Sequence, residues 1–193
     1  MLGIPPNTPE WHAARERMLT ASDFAAALGI HPYVSRQKLW RLKTGQEVVE
    51  WTPDISRGVS NEQIAMEMYE VEVGVLLRPV GLVAHPDDPW AGATPDAAVG
   101  SDGLAEVKCP RAFRDAPPDY HVAQIQGQLA ITGRAWCDYV QWVDGAITVQ
   151  RVPADAGWWT RNRPALMEFW GYVERLEKPP RKSSRRARQE AAA

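Results

Sequence analysis

Residues 94–108 read TPDAAVGSDGLAEVK, and the fold is decided there. Residues 93–99 and 104–109 are two short β-rich runs. The Gly100-Ser-Asp-Gly103 segment between them is turn chemistry, because glycine supplies positive φ and Ser and Asp bond their own backbone. Together they predict a hairpin. Strand side chains alternate between faces, so Glu106 and Lys108 share one face while Val107 points the other way, into the core. Asp96 falls on the neighbouring strand near the same end. Two carboxylates and an ammonium are thereby gathered at a sheet end. A carboxylate pair suits Mg²⁺, which takes hard oxygen ligands and keeps several waters. Metal-assisted attack of water on a phosphodiester needs those parts, with a cation near the developing charge. The competing reading of the same residues is a set of ion pairs on a solvated sheet face.

Upstream, residues 73–85 are rich in Val and Leu, with Pro79 and Gly81 indicating an edge or a bulge. Before them come four helices. One is short and starts at Trp11. A second follows Thr20-Ala-Ser22-Asp, with Gly29 as its stop, and another is capped by Ser35 and ends at Gly45. Residues 58–72 carry Ile64 and Met68 one turn apart and read as a further helix. Downstream, residues 119–132 are helical up to Gly133. Residues 135–143 and 146–152 then form a hairpin about Asp144-Gly145, which favours a type I′ turn. A last helix covers residues 155–177. Strands interleaved with helices in this order predict an α/β fold, a central mixed β-sheet flanked by helices.

Composition narrows the function classes. Of 193 residues 45% are hydrophobic, too many for a disordered chain. No run of about 18 apolar residues exists, so no membrane span is expected. The first residues lack a basic and then apolar leader, so no signal peptide is expected. Two cysteines, Cys109 and Cys137, are too few for a disulfide scaffold or an iron–sulfur cluster. A cytoplasmic location is the default expectation. The net charge of −2 divides unevenly: residues 178–193 carry +5 and the rest −7. Residues 1–177 are expected to form one domain, followed by a basic, flexible tail over 178–193. An acidic body cannot wrap nucleic acid with a broad basic face. Any such contact is expected in a narrow cleft lined by a few placed cations.

More of the chain fits a known pattern. Pro95-Asp96 ahead of Glu106-Val107-Lys108 is the pattern of the PD-(D/E)xK nuclease superfamily, whose core is restriction-endonuclease-like. Trp11-His-Ala-Ala-Arg15 with Leu19-Thr-Ala-Ser22 forms another block, and Arg57-Gly58 with Glu62 another. Thr94-Pro95-Asp96, then Glu106 to Pro110, and Tyr120 to Gln126 closing on Ile131-Thr-Gly133 complete the set. In this order the five blocks resemble the phage lambda exonuclease family, the YqaJ-type viral recombinases, from Trp11 to about Gly133.

The resemblance implies roles. Asp96 and Glu106 match metal-binding carboxylates, the Val107 carbonyl a further ligand, and Glu62 a helix carboxylate completing a second metal position. Lys108 matches the lysine that orients or activates water or stabilises the phosphorane-like charge. Gln124 matches an active-site glutamine. Arg15 and Ser22 match groups holding a 5′-phosphate, with Thr94 near the same phosphate. The implied activity is a Mg²⁺-dependent 5′→3′ exonuclease, with two ions per site and Mn²⁺ as a substitute. It would act on 5′-phosphorylated ends of double-stranded DNA and leave 3′ single strands for phage or prophage recombination. The resemblance further implies a homotrimer working beside a single-strand annealing protein. Two rivals stand: a restriction- or repair-type endonuclease of the same superfamily, and a non-catalytic nucleic-acid-binding module.

Some residues depart from the pattern or stay outside it. Arg17 stands where the family usually has glycine, so it either marks a different loop or adds a phosphate contact. His121 reads as a surface or core histidine and Cys109 as buried packing. Of the nine tryptophans, Trp159 and Trp170 fit the buried stripe of the last helix, and Trp136 and Trp142 share a hairpin face. Trp40 and Trp51 read as core or interface ahead of DNA stacking.

Overall fold

The structure, a computed structural model, describes residues 3–180. Most of the basic tail, residues 181–193, lies outside the described residues. The elements are α1 (Pro9–Glu16), β1 (Leu19–Thr20), α2 (Ala21–Leu28), α3 (Arg36–Lys43), α4 (Pro53–Val73), β2 (Leu77–Arg78) and β3 (Val83–Ala84). They continue with β4 (Ala91–Ala93), β5 (Ala97–Val99), β6 (Gly103–Lys108), α5 (Asp119–Thr132), β7 (Trp136–Val143), β8 (Ala146–Pro153) and α6 (Trp158–Glu174).

Five strands form the main sheet in the order β2-β5-β6-β7-β8. The β6–β7 pair is parallel and the other pairs are antiparallel. Two helices sandwich this sheet. On one face Ala65 and Tyr69 of α4 pack against Ala105, Val107 and Val140. On the other, Ile125 and Leu129 of α5 pack against Leu104, Cys137 and Tyr139. The alternation read from the sequence holds: Val107 faces α4, and Glu106 lies with Leu104 on the α5 side. Buried Asp138 is matched by the Tyr69 hydroxyl at 2.7 Å and by two Arg151 nitrogens at 2.8 and 2.9 Å.

A second sheet, β1-β4-β3, carries the largest core, formed with α2, α3 and α6. The helix starts follow their caps. Ser35 Oγ accepts from Lys38 N at 3.2 Å. Asp23 accepts from the backbone N–H and hydroxyl of Thr20, at 3.0 and 2.7 Å.

Several expectations are corrected. Residues 73–85 are not one strand. Gly74 ends α4, and β2 and β3 belong to different sheets. Pro79 has no N–H for a ladder. At Gly81 a Cβ would lie 2.2 Å from the Ile4 carbonyl oxygen, so the chain passes between sheets where only glycine fits. Residues 93–99 are likewise divided, β4 in the small sheet and β5 in the large one, with Thr94-Pro95-Asp96 as the crossing. The helix expected over 58–72 begins earlier, at Pro53, because Thr52 Oγ1 caps Ile55 N at 3.3 Å. The last helix is shorter than 155–177. At Asp144-Gly145 both residues have positive φ, 47° and 85°, as a type I′ turn requires.

Trp40 is buried, its indole N–H on the Tyr172 carbonyl at 3.2 Å. Trp51 is 69% exposed, so the core reading fails for it. Cys109 is half-buried rather than buried. Among the described residues no helix is long and apolar enough to cross a membrane.

Candidate active site

The β5–β6 register pairs Ala97 with Ala105. One step further sets Asp96 opposite Glu106, just past the end of the ladder. Asp96 Oδ2 there accepts from Val107 N at 2.7 Å, so the backbone of one strand orients the carboxylate of the other. Glu106 is 1% exposed. Lys108 is ion-paired to its Oε1, and Gln124 Nε2 donates to the same oxygen at 2.6 Å. Gln128, which the sequence did not single out, donates to Oε2 at 2.6 Å.

A cleft of about 540 Å³ gathers Arg15, Ser22, Glu62, Thr94, Asp96, Glu106, Lys108 and Gln124 on its walls. These are all the sequence-derived site side chains, drawn from α1, α2, α4, the sheet crossing, β6 and α5. Arg17 is not on the wall; it caps the C-terminus of α1. His121 is half-buried, its Nδ1 against the Tyr139 hydroxyl at 2.8 Å. Burial, with Lys108 nearby, lowers its pKa to about 3, so its imidazole is neutral at ordinary pH.

The cleft has two ends. At one, Arg15 stacks over Trp11 at 4.4 Å, and its Nη2 lies 3.5 Å from Ser22 Oγ. Trp11 Nε1 donates to Thr94 Oγ1 at 3.1 Å. Asp23, whose charge acts on Arg15, is occupied by Lys43 at 2.6 Å and by the Thr20 cap. Arg15 and the Ser22 hydroxyl are thus presented together at the start of α2, where free N–H groups favour an anion. Guanidinium geometry suits a two-point grip on phosphate.

At the other end are the carboxylates. Burial, and then the Glu106 charge, push Asp96 well above the usual carboxylate range. Burial also raises Glu62, with Lys108 opposing and Glu106 adding. Burial lowers Lys108, but Glu106 and Asp96 outweigh it and hold the ammonium protonated. With its proton held, Lys108 is a hydrogen-bond donor and a cation beside Glu106.

The oxygen donors Asp96, Glu106 and Glu62 fit a hard divalent cation in kind. Among the described residues no three such groups converge on one point as a ready chelate. The cleft lining itself is not positive: Arg15 and Lys108 face Glu62, Asp96 and Glu106. The two expected cations are thus on the wall, but they share it with three carboxylates, whose charge a divalent ion would offset. Positive charge collects in a second groove just past Pro110, where Arg57, Arg111 and Arg114 meet Asp54, Tyr33 and Phe113.

One signal escaped the sequence reading. Gln128 repeats Gln124 one helical turn on, a spacing that is visible but not distinctive. Trp11 and Trp51 both line the cleft, and Trp51 is tied to Ser56 Oγ at 2.6 Å.

Residues 10–135 match the model of the YqaJ-like viral recombinase domain. Among solved structures the chain is similar to LHK-Exo in complex with dAMP, at 30% identity and a TM-score of 0.78, over 88% of this chain and 94% of that one. It is also similar to the alkaline exonuclease LHK-Exo from Laribacter hongkongensis, at 29% identity and a TM-score of 0.77, over 96% and 98% of the two chains. A phage-related exonuclease from Haemophilus somnus 129PT shares the fold at 14% identity and a TM-score of 0.63, over 82% and 94%. No curated protein matches the chain significantly.

Proposed function

Because the chain belongs to the YqaJ-like viral recombinase family, we propose that it is a Mg²⁺-dependent 5′→3′ exonuclease on double-stranded DNA ends. One observation carries the reading: a single cleft joins a phosphate grip, Arg15 with Ser22, to the carboxylate and lysine cluster. The relative solved with dAMP, a deoxynucleoside monophosphate, supports a nucleotide-sized product.

In this reading Arg15, the Ser22 hydroxyl and Thr94 hold the 5′-phosphate and fix the register of the strand. Asp96, Glu106, Glu62 and the Val107 carbonyl would hold two Mg²⁺ ions, with Mn²⁺ as a substitute. When bound, such ions supply Lewis acidity and an activated water. Lys108 keeps its ammonium beside the scissile phosphate and donates to the charge that builds on its oxygens. Gln124 helps to fix the Glu106 carboxylate. A homotrimer and a single-strand annealing partner belong to the same reading, as does a role in phage-type recombination.

Linear 5′-phosphorylated duplex is expected to be digested from its 5′ ends with Mg²⁺, and closed circular duplex to stay intact, with EDTA stopping the reaction. Cutting of closed circles would favour an endonuclease. Digestion of neither would favour a binding module. Charge-assisted hydrogen bonds to phosphate contribute about 1.5–3 kcal/mol, so 5′-phosphate ends should be preferred over 5′-hydroxyl ends by roughly 10- to 100-fold. Arg15→Ala should abolish that preference, as read by initial rates on the two ends.

The raised Asp96 and Glu62 also set a pH dependence. An acid with a raised pKa is neutral below it, and a neutral carboxyl is a poor metal ligand. Activity should therefore rise with pH, and its acid limb should lie above the ordinary carboxylate range of about 4. A rate profile already flat from pH 5 upward would contradict this.

A further inference from the structure

Helix α5 sets two glutamines one turn apart against the same carboxylate. Gln124 reaches Glu106 Oε1 from the cleft wall, while Gln128 reaches Oε2 from beneath, at 1% exposure. The Gln128 amide has a fixed direction. Turned over, its oxygen would face the carboxylate and its donor would be lost. Held as it is, its Oε1 is buried with no hydrogen-bond partner among the described residues. Buried polar atoms are almost always matched, and an unmatched one calls for a reason other than stability.

We propose that Gln128 is a positioning residue that locks the Glu106 carboxylate in the orientation that binds the metal. A carboxylate offers about four lone-pair directions. Lys108, Gln124 and Gln128 take three of them, so one direction remains for the cleft. The terminal torsion of Glu is broad and roughly two-fold. Without the bond beneath, the carboxylate is held through Oε1 alone, and its plane is fixed less firmly. Outer partners of this kind set metal affinity through the ligand they hold.

The inference rests on the nuclease reading only in taking Glu106 as a metal ligand. It is tested on the whole chain without DNA, by electron paramagnetic resonance titration with Mn²⁺ alongside thermal melting by circular dichroism. Gln128→Met keeps the side-chain length and removes the donor. Mn²⁺ affinity is expected to fall roughly 10- to 100-fold, with melting still cooperative above the titration temperature. Affinity equal to wild type would overturn the proposal, even with a lowered melting temperature, because a purely structural glutamine would produce that pair of results. If Gln128→Met does not fold, Gln128→Asn, one methylene too short to span to Oε2, is read in the same way. Absence of Mn²⁺ binding in wild type would overturn the metal reading of the cleft as well. Wild-type binding with an unchanged variant overturns the role of Gln128 alone.

Discussion

Asp96→Asn is expected to lower duplex hydrolysis about a thousandfold or more and yet to raise the melting temperature of the metal-free protein. The two effects have one cause. Asp96 is buried beside Glu106, and both burial and that charge favour its protonated form. A carboxyl whose folded pKa is raised binds a proton on folding, so its contribution to stability falls as pH rises from the unfolded toward the folded pKa. At neutral pH, above the ordinary carboxylate pKa of about 4, Asp96 therefore works against the fold. Asparagine removes the charge and keeps an oxygen for Val107 N, which now sits 2.7 Å from Oδ2. Stability should increase, while a metal ligand is lost. The check is thermal melting with and without Mg²⁺, beside a rate on linear duplex. Mg²⁺ should raise the wild-type melting temperature by mass action and leave Asp96→Asn nearly unmoved. A variant that melts lower than wild type without metal would contradict the electrostatic account.

Gly127→Leu is expected to be the most damaging single change to folding. Gly127 lies inside α5 where α2 crosses it. A Cβ there would fall 2.4 and 2.5 Å from two ring carbons of Phe24 and 3.3 Å from Ala21 Cβ. Phe24 has nowhere to go, being fully buried and packed against Trp158 and Trp159 with ring centres 6.0 and 5.9 Å away. Glycine inside a helix costs about 0.5–1 kcal/mol relative to alanine. Even so, Gly127→Ala should lose more by overpacking, about 1–3 kcal/mol, and leucine should lose more again. Denaturant unfolding gives the values. A neutral or stabilising Gly127→Ala would show that α2 can shift. The contact also matters for the site, because α2 carries Ser22 while α5 carries Gln124 and Gln128.

The legibility of this chain varied with the kind of signal. Alternation in residues 104–109 fixed the opposite faces of Val107 and Glu106, because a one-residue error would invert a buried strand. Caps and turn pairs located Ser35 and Asp144-Gly145. Asp96, Glu106 and Lys108 were legible through residue type and alternation, Arg15, Ser22, Glu62, Thr94 and Gln124 only through the family resemblance, and the structure brings all of them to one cleft. The division of residues 73–99 between two sheets was not legible. Two- and three-residue strands leave too little period to read, and the break depends on Ile4 lying against Gly81, a contact far apart in sequence. Gln128 was missed for a related reason. A glutamine on a helix reads as solvated until a buried charge such as Glu106 is placed beneath it. Trp51 failed as a core residue because bulk alone does not decide burial.

The crossing at Thr94-Pro95-Asp96 has a consequence for scale. Arg15 and Ser22 lie on α1 and α2, which flank β1 of the small sheet, and Glu106 lies on β6 of the large one, with β4 and β5 joined by these three residues. Three residues span at most about 10 Å, and Pro95 stiffens the link further. On the proposed reading, the protein acts as a gauge block. The gap between where a strand end is seated and where it is cut belongs to the backbone, so the released fragment should have one length whatever its base sequence.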